Sequence, residues 1–409
     1  MKTIEGGVTS AKGFKASSCA AGVKYENRLD MAMVYSEKPC VSAGTFTSNV
    51  VKAAPVLWDR KIVREGEGDV HAVVVNTGIA NAGTGKEGLR LCEETASKAA
   101  EMLGIRKEEV LIGSTGVIGP QLNMPAILNG VEKLAKELSD SRESAQGAAL
   151  AIMTTDTHPK ECAVEISIGG SKVVLGGMAK GSGMIHPNMC TMLGYIMTDA
   201  DISKDLLQKA LSEVAEDTFN MVSVDGDTST NDTLLVLANG EAGNKKIDTV
   251  DEDYKVFKEA LFFVAKDLAR KLAGDGEGAT KLVTCRVINA SDKNKAKVLA
   301  KSVITSSLLK AAMYGNDANW GRILCAMGYS GVQFDPDQLD IYFYADGCER
   351  IHIYHDGSAM QFSEEEATAL LKHKEVIITA DMKQGHAEAT AWGCDLTHKY
   401  VDINADYRS

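Results

Sequence analysis

A chain of 409 residues, 44% hydrophobic and 24% charged, has the make-up of a soluble globular protein and the length for two domains or one large layered core. Its 56 acidic against 44 basic residues leave a formal charge of −12, which disfavours nucleic acid and anionic membrane surfaces as partners. The nine cysteines are odd in number and include no C-x-x-C pair, so buried thiols in a reducing compartment are expected rather than a disulfide framework or structural zinc. The opening "MKTIEGGVTSAKGFKASS" lacks a signal's apolar core, and no run nears the ~18 apolar residues of a spanning helix; the expected location is the cytoplasm.

"VHAVVVNTG" (Val70–Gly78) and "EVLIGSTGVIG" (Glu109–Gly119) read as buried strands running into Gly-rich loops. Between them Glu87–Leu103 has helical spacing and stops at Gly104; a second helix, "AILNGVEKLAKEL", follows Pro125. Cys162–Met178 is a hairpin about Gly169–Gly170. Further on, "DISKDLLQKALSEVAEDTF" is helical and "NDTLLVLANG" a strand, and "DYKVFKEALFFVAKDLARKLAG" and "KNKAKVLAKSVITSSLLKAAMYG" are two long amphipathic helices, each closed by glycine. "DIYFYADGCERIHIYHDG" reads as another hairpin, and residues 376–409 read as mostly strand. No linker, repeat or low-complexity stretch divides the chain. The expected class is α+β, with large, mostly antiparallel sheets covered by helices.

Several familiar chemistries fail on their residues. "GIANAGTGKEG" (Gly78–Gly88) has Ala80 where a phosphate loop begins with glycine, and Glu87 where Ser or Thr would hold magnesium. "GDGEGATK" (Gly274–Lys281) follows a helix and enters a strand, the reverse of a dinucleotide fold. Both loops read as tight turns or close backbone approaches to a small ligand. His352 and His355 fall at i and i+3 of a strand, on opposite faces, which makes them poor co-ligands. With no H-E-x-x-H and no G-x-S-x-G either, neither a metal nor an organic cofactor is expected.

"KGSGMIHPNMCTMLGYIMTDA" (Lys180–Ala200) is different. A Gly-rich turn and a rigid His-Pro step precede Cys190–Thr191, and only then does an apolar run begin. A threonine hydroxyl is a weak nucleophile, but at the N-terminus of its own chain the α-amine can take its proton. That requires cutting the Cys190–Thr191 bond, which an N→O acyl shift in a constrained turn can do. Taken alone, Thr191 reads as a half-buried strand threonine, Lys180 and Glu277 as solvated charges on turns, and Thr115–Gly116 as an ordinary strand end.

The segment closely resembles the self-cleaving stretch of the ornithine acetyltransferase, or glutamate N-acetyltransferase, family of arginine biosynthesis, with Cys190 where that family commonly has alanine. Other motifs follow in order along nearly the whole chain. The resemblance implies Thr191 as nucleophile, and Thr115 and Gly116 of "STGVIG" as oxyanion donors. It implies substrate contacts at Thr154 of "TTDTHPK" (Thr155 being the alternative register), Lys180, Thr191, Glu277, Asn404 and the terminal Ser409. It also implies an α-β-β-α sandwich cut into an α-chain (1–190) and a β-chain (191–409) that stay associated as α2β2. The implied reaction is ping-pong transfer of acetyl from N-acetylornithine to glutamate, giving ornithine and N-acetylglutamate, with acetyl-CoA a further donor in some members. Lys180 is expected on the α-carboxylate and Glu277 on the substrate ammonium. The rival readings are a self-processed N-terminal-nucleophile amidase or aminopeptidase and an inactive amino-acid-binding homologue.

Overall fold

The chain begins with β1 (Lys2–Ile4), β2 (Phe14–Cys19) and the 16-residue β3 (Met31–Phe46). A computed structural model describes residues 1–66, 69–186 and 192–406. After β3 come α1 (Ala54–Glu65), β4 (Val70–Asn76), α2 (Gly85–Leu103), β5 (Val110–Ser114), α3 (Met124–Lys136) and α4 (Arg142–Ala151). The hairpin β6 (Lys160–Ile168) and β7 (Ser171–Lys180) follows, then β8 (Leu193–Thr198), α5 (Lys204–Asp217), β9 (Val222–Ser223) and β10 (Thr233–Ala238).

These strands, β9 excepted, run in the order β1-β6-β7-β8-β10-β3-β4-β5, with β2 also on β3. Strand β3 makes the bend: its first half pairs with β2 and β4, its second half with β10. Alternation does the rest. Val73, Val75 and Leu111 share one buried cluster with Tyr195, Met197, Leu235 and Leu237, so the two halves of the sheet face each other. Fully buried Tyr195 reaches so close to Gly113 of β5 that a Cβ there would collide with its hydroxyl. Alanines of α4 and Val56 and Val63 of α1 join the same cluster. The opposite faces carry helices: Val74 and Ile112 pack with Leu91, Ile127 and Val131 of α2 and α3, and Leu175, Ile196 and Val236 pack with residues of α5 and of α6 (Glu252–Gly274).

α6 also packs on a second sheet. Its remaining elements are β11 (Leu282–Ala290), α7 (Lys293–Thr305), α8 (Ser307–Gly315), α9 (Trp320–Gly328), β12 (Asp340–Tyr344), β13 (Ile351–His355), β14 (Ser358–Ala359), α10 (Glu364–Leu371), β15 (Glu375–Asp381), β16 (Ala387–Cys394) and α11 (His398–Asp406). The strand order is β14-β13-β12-β15-β11-β16-β9, with α7 against β11 and β16. Most strand pairs are antiparallel; β4–β5, β8–β10, β11–β15 and β9–β16 are parallel.

Three local expectations are corrected. Residues 293–315 form two helices, because the Ser306 hydroxyl caps a new one by accepting from the Leu309 amide at 3.3 Å. Residues 398–406 are helical rather than extended: Tyr400 and Asn404, one turn apart, reach Asp225 and Glu277 respectively from a shared face. His352 and His355 lie together, ring centroids 5.3 Å apart, because the β12–β13 register skips Ile353 in a bulge that resets the alternation. Both turn toward Asp340, whose Oδ1 is 2.7 Å from His355 Nδ1 and 2.9 Å from the Lys383 ammonium.

The eight described cysteines are free thiols, six of them buried, and Cys190 lies outside the described residues. Among the described residues no helix is long and apolar enough to cross a membrane.

Candidate active site

Where β5 ends, the chain turns out of the sheet through Ser114-Thr115-Gly116. The Ser114 hydroxyl donates to Asn76 Oδ1 at 2.6 Å, and the Thr115 amide donates to Asn76 O at 3.1 Å. Gly116 has φ +129° and lies against Gly78, where any Cβ would strike the Gly78 carbonyl. Only glycine fits this conformation and this approach. The Gly-rich stretch rejected as a phosphate loop therefore serves here as a floor. It is tied down by Val117 N donating to Gly78 O and Ala80 N donating to Val117 O.

Thr115 and Gly116 line a cavity of about 130 Å³. From the end of β7, Lys180 reaches into it and donates to Thr115 Oγ1 at 3.2 Å and to Thr154 Oγ1 at 2.9 Å. Lys180 is only 7% exposed, which overturns the reading of a solvated charge on a turn. Burial lowers its pKa, partly offset by Asp156. Thr154 and Thr155 both line the cavity.

Opposite lies Glu277, 8% exposed, whose Oε2 accepts from Asn404 Nδ2 at 2.7 Å. Its carboxylate rests on Gly183, where a Cβ would overlap it, and its amide donates to Ser182 O at 3.0 Å. The Gly-Ser-Gly step that looked odd in sequence thus makes room for a carboxylate. Beyond it, the Met184 and Ile185 amides donate to Asp225 at 2.6 and 2.9 Å. Burial and the charge of Lys301 lower the His186 pKa to about 4, so the ring is neutral at working pH. Ile185 and Met192 both line the cavity. Cys190 and Thr191, between them in sequence, and Ser409 lie outside the described residues.

Beneath the cavity is a charge network that the motif reading missed. Lys160, fully buried, lies 2.6 Å from both Asp156 and Asp275. Asp156 also accepts from the amides of Gly181 (2.7 Å) and Thr154 (3.0 Å), so it fixes both the residue after Lys180 and the residue before Thr155. Burial alone would raise the Asp156 pKa; Lys180 and Lys160 outweigh it and hold the carboxyl well below the usual carboxylate range. Asp275 accepts from the Thr157 amide at 3.0 Å, and its carbonyl takes the Ser182 hydroxyl at 2.6 Å.

Two further lining residues were also missed. Asp232 is 1% exposed, and its Oδ2 is buried without a hydrogen-bond partner; burial pushes its carboxyl well above the usual range. Asn231 precedes it. The available signal was a polar run, "DGDTSTND", directly before the fully buried strand β10. Polar residues massed at a buried strand end suit a site better than a plain turn.

The cavity thus holds one buried cation and two buried carboxyls beside a strand-end turn. That set is complementary to a small amino acid carrying both charges.

Known proteins resemble this chain along nearly its whole length. The ArgJ family matches residues 15–409. The arginine biosynthesis bifunctional protein ArgJ 1 of Clostridium acetobutylicum is 50% identical over 402 residues, covering 98% of this chain and 97% of its own. That of Symbiobacterium thermophilum is 48% identical over 411 residues, covering 100% of both. A crystal structure of the Bacillus halodurans ArgJ protein aligns with TM-score 0.50 at 44% identity, covering 52% of this chain and 98% of that one. An ornithine acetyltransferase from Mycobacterium tuberculosis, solved with ornithine, aligns with TM-score 0.41 at 37% identity, covering 47% of this chain and 99% of that one.

Proposed function

The chain belongs to the ArgJ family, and from that premise we propose that it transfers acetyl from N-acetylornithine to glutamate after cutting itself between Cys190 and Thr191. The observation that carries this is the buried Lys180 ammonium on Thr115 and Thr154, facing the Glu277–Asn404 pair across one small cavity.

In this account Lys180 takes the α-carboxylate of either substrate and Glu277 the side-chain ammonium of N-acetylornithine. Cleavage gives Thr191 a free α-amine, whose ordinary pKa of ~7.7–8.0 suits a base at neutral pH. The Thr191 hydroxyl attacks the acetyl carbonyl and its proton passes to that amine. Negative charge collects on the carbonyl oxygen between Thr115 and Gly116. The C–N bond breaks, the proton leaves with the ornithine amine, and the acetyl group stays on Thr191 as an ester. The glutamate amine then reverses these steps to give N-acetylglutamate. One amide replaces another, so the balance requires no metal, nucleotide or reductant.

Two observations support the processed form. Strands β7 and β8 pair from Leu175–Thr198 to Lys180–Leu193, so segments 1–190 and 191–409 share a sheet across the cut. The crystallised B. halodurans chain corresponds to about half of this one, as one of two products would. Chains 1–190 and 191–409 are accordingly proposed as α and β subunits of an α2β2 assembly in the cytoplasm, with acetyl-CoA as an additional donor. The test is ornithine release followed with and without glutamate. Transfer predicts release that depends on glutamate and matches N-acetylglutamate formed; release at the same rate without glutamate would mean a hydrolase instead.

A further inference from the structure

We infer that Asn231 is a positioning residue for the oxyanion turn, an inference that rests on the reaction just proposed. Asn231 is 6% exposed, and its Nδ2 donates both hydrogens: to Ser114 O at 2.7 Å and to Ala80 O at 2.6 Å. Its Oδ1 accepts from the Thr230 hydroxyl at 2.7 Å, which fixes which end of the amide faces the two carbonyls.

The geometry explains why this matters to Thr115 and Gly116. Ser114 O and Thr115 N belong to the same planar peptide unit. Its N–H is held by Asn76 O at 3.1 Å and its C=O by Asn231, so the plane is gripped at both ends and cannot rotate. The next unit along carries the Gly116 N–H, the donor assigned to the oxyanion. On the far side of Gly116, Val117 O accepts from the amide of Ala80, whose own carbonyl is the second acceptor of Asn231. One side chain thereby sets both flanks of the turn. A primary amide suits the position because it has two hydrogens for two carbonyls and an oxygen for the hydroxyl. Aspartate would set an oxygen against both carbonyl oxygens, and serine has one hydrogen to offer. Asn231 lies after residue 191, and Ser114 and Ala80 before it. In the cleaved protein the turn of one chain is therefore held by a side chain of the other.

The test uses the full chain with Asn231→Asp and Thr230→Val. Deuterium uptake is measured across residues 114–117, with kcat and KM for N-acetylornithine and the equilibrium affinity for ornithine. Asn231→Asp is expected to speed uptake at 114–117 but not in the 162–178 hairpin. It should also lower kcat by about 100-fold, the scale of losing one oxyanion donor, with KM and ornithine affinity moving less than about 3-fold. Thr230→Val, which only frees the amide to turn, is expected to lower kcat by about 3–10-fold, and carries the test if the aspartate variant does not fold. Unchanged uptake at 114–117 would overturn the inference whatever the activity. So would unchanged kcat, or a parallel loss of kcat and ornithine affinity. If the wild-type protein transfers no acetyl while Asn231→Asp still speeds uptake at 114–117, the proposed function would be sunk and Asn231's hold on the turn left standing.

Discussion

Replacing Lys160 by methionine tests whether the network under the cavity is held as described. Lys160 has no exposed side-chain surface and meets Asp156 and Asp275 at 2.6 Å each. Methionine keeps most of the volume but leaves two carboxylates buried without their shared cation. Breaking a buried ion pair by removing one partner costs about 3–5 kcal/mol, a large share of the 5–15 kcal/mol of a typical domain. The loss here should lie within that range rather than at twice it, because Asp156 retains the Gly181 and Thr154 amides and Asp275 retains the Thr157 amide. Equilibrium urea unfolding at pH 7 is the assay. The sign of the pH effect follows from Asp156. Its folded pKa lies below the unfolded value of ~3.9, so it contributes stability fully above that value and loses it as pH falls through the folded pKa. Without Lys160 the folded pKa rises, and acid unfolding begins at a higher pH. In Lys160→Met/Asp156→Asn one of the two stranded carboxyls, Asp156, is replaced by an amide, so the double variant should lose less than the sum of the singles. A single-variant loss under about 1 kcal/mol, or strict additivity, would refute the reasoning.

Glu277→Gln should raise KM for N-acetylornithine by about 10–100-fold, as expected for losing one charged hydrogen bond, with a smaller effect on glutamate; steady-state kinetics decide it. The kcat/KM profile should rise with pH as the Thr191 amine loses its proton. It should then fall at a pH below the ~10.4 of an ordinary lysine, because burial lowers Lys180 and the neutral amine no longer holds a carboxylate. Asp232→Asn should cost less unfolding free energy than Lys160→Met, since burial already disfavours the charged form of this carboxyl and the amide carries no charge; urea titration at pH 7 compares the two.

Much of this architecture was legible because local signals agreed. The Gly169–Gly170 turn, the Gly104 stop and the long apolar stripe of α6 each state their element within a few residues. The segment from Lys180 stood out because glycines, proline and a Cys-Thr pair make no ordinary strand. Departures came where distant residues decide. Nothing near Lys160 shows that Asp275, 115 positions on, will neutralise it, and a lysine opening a strand reads as solvent-facing. Asn231 is one polar residue among several until Ser114 and Ala80 are placed beside it. The bulge at Ile353 reversed a sound parity argument for His352 and His355, since one inserted residue exchanges the faces. In α11, Tyr400, Val401 and Ile403 resemble a strand, but partners at Asp225 and Glu277 favour the helical spacing.

The account turns on the bond between Cys190 and Thr191, and the intact mass and N-terminal sequence of the purified protein address it directly. It predicts two chains that co-purify, the second beginning Thr-Met-Leu-Gly. A single uncut chain with full glutamate-dependent acetyl transfer would contradict it, because residue 191 would then have no amine to act as its base.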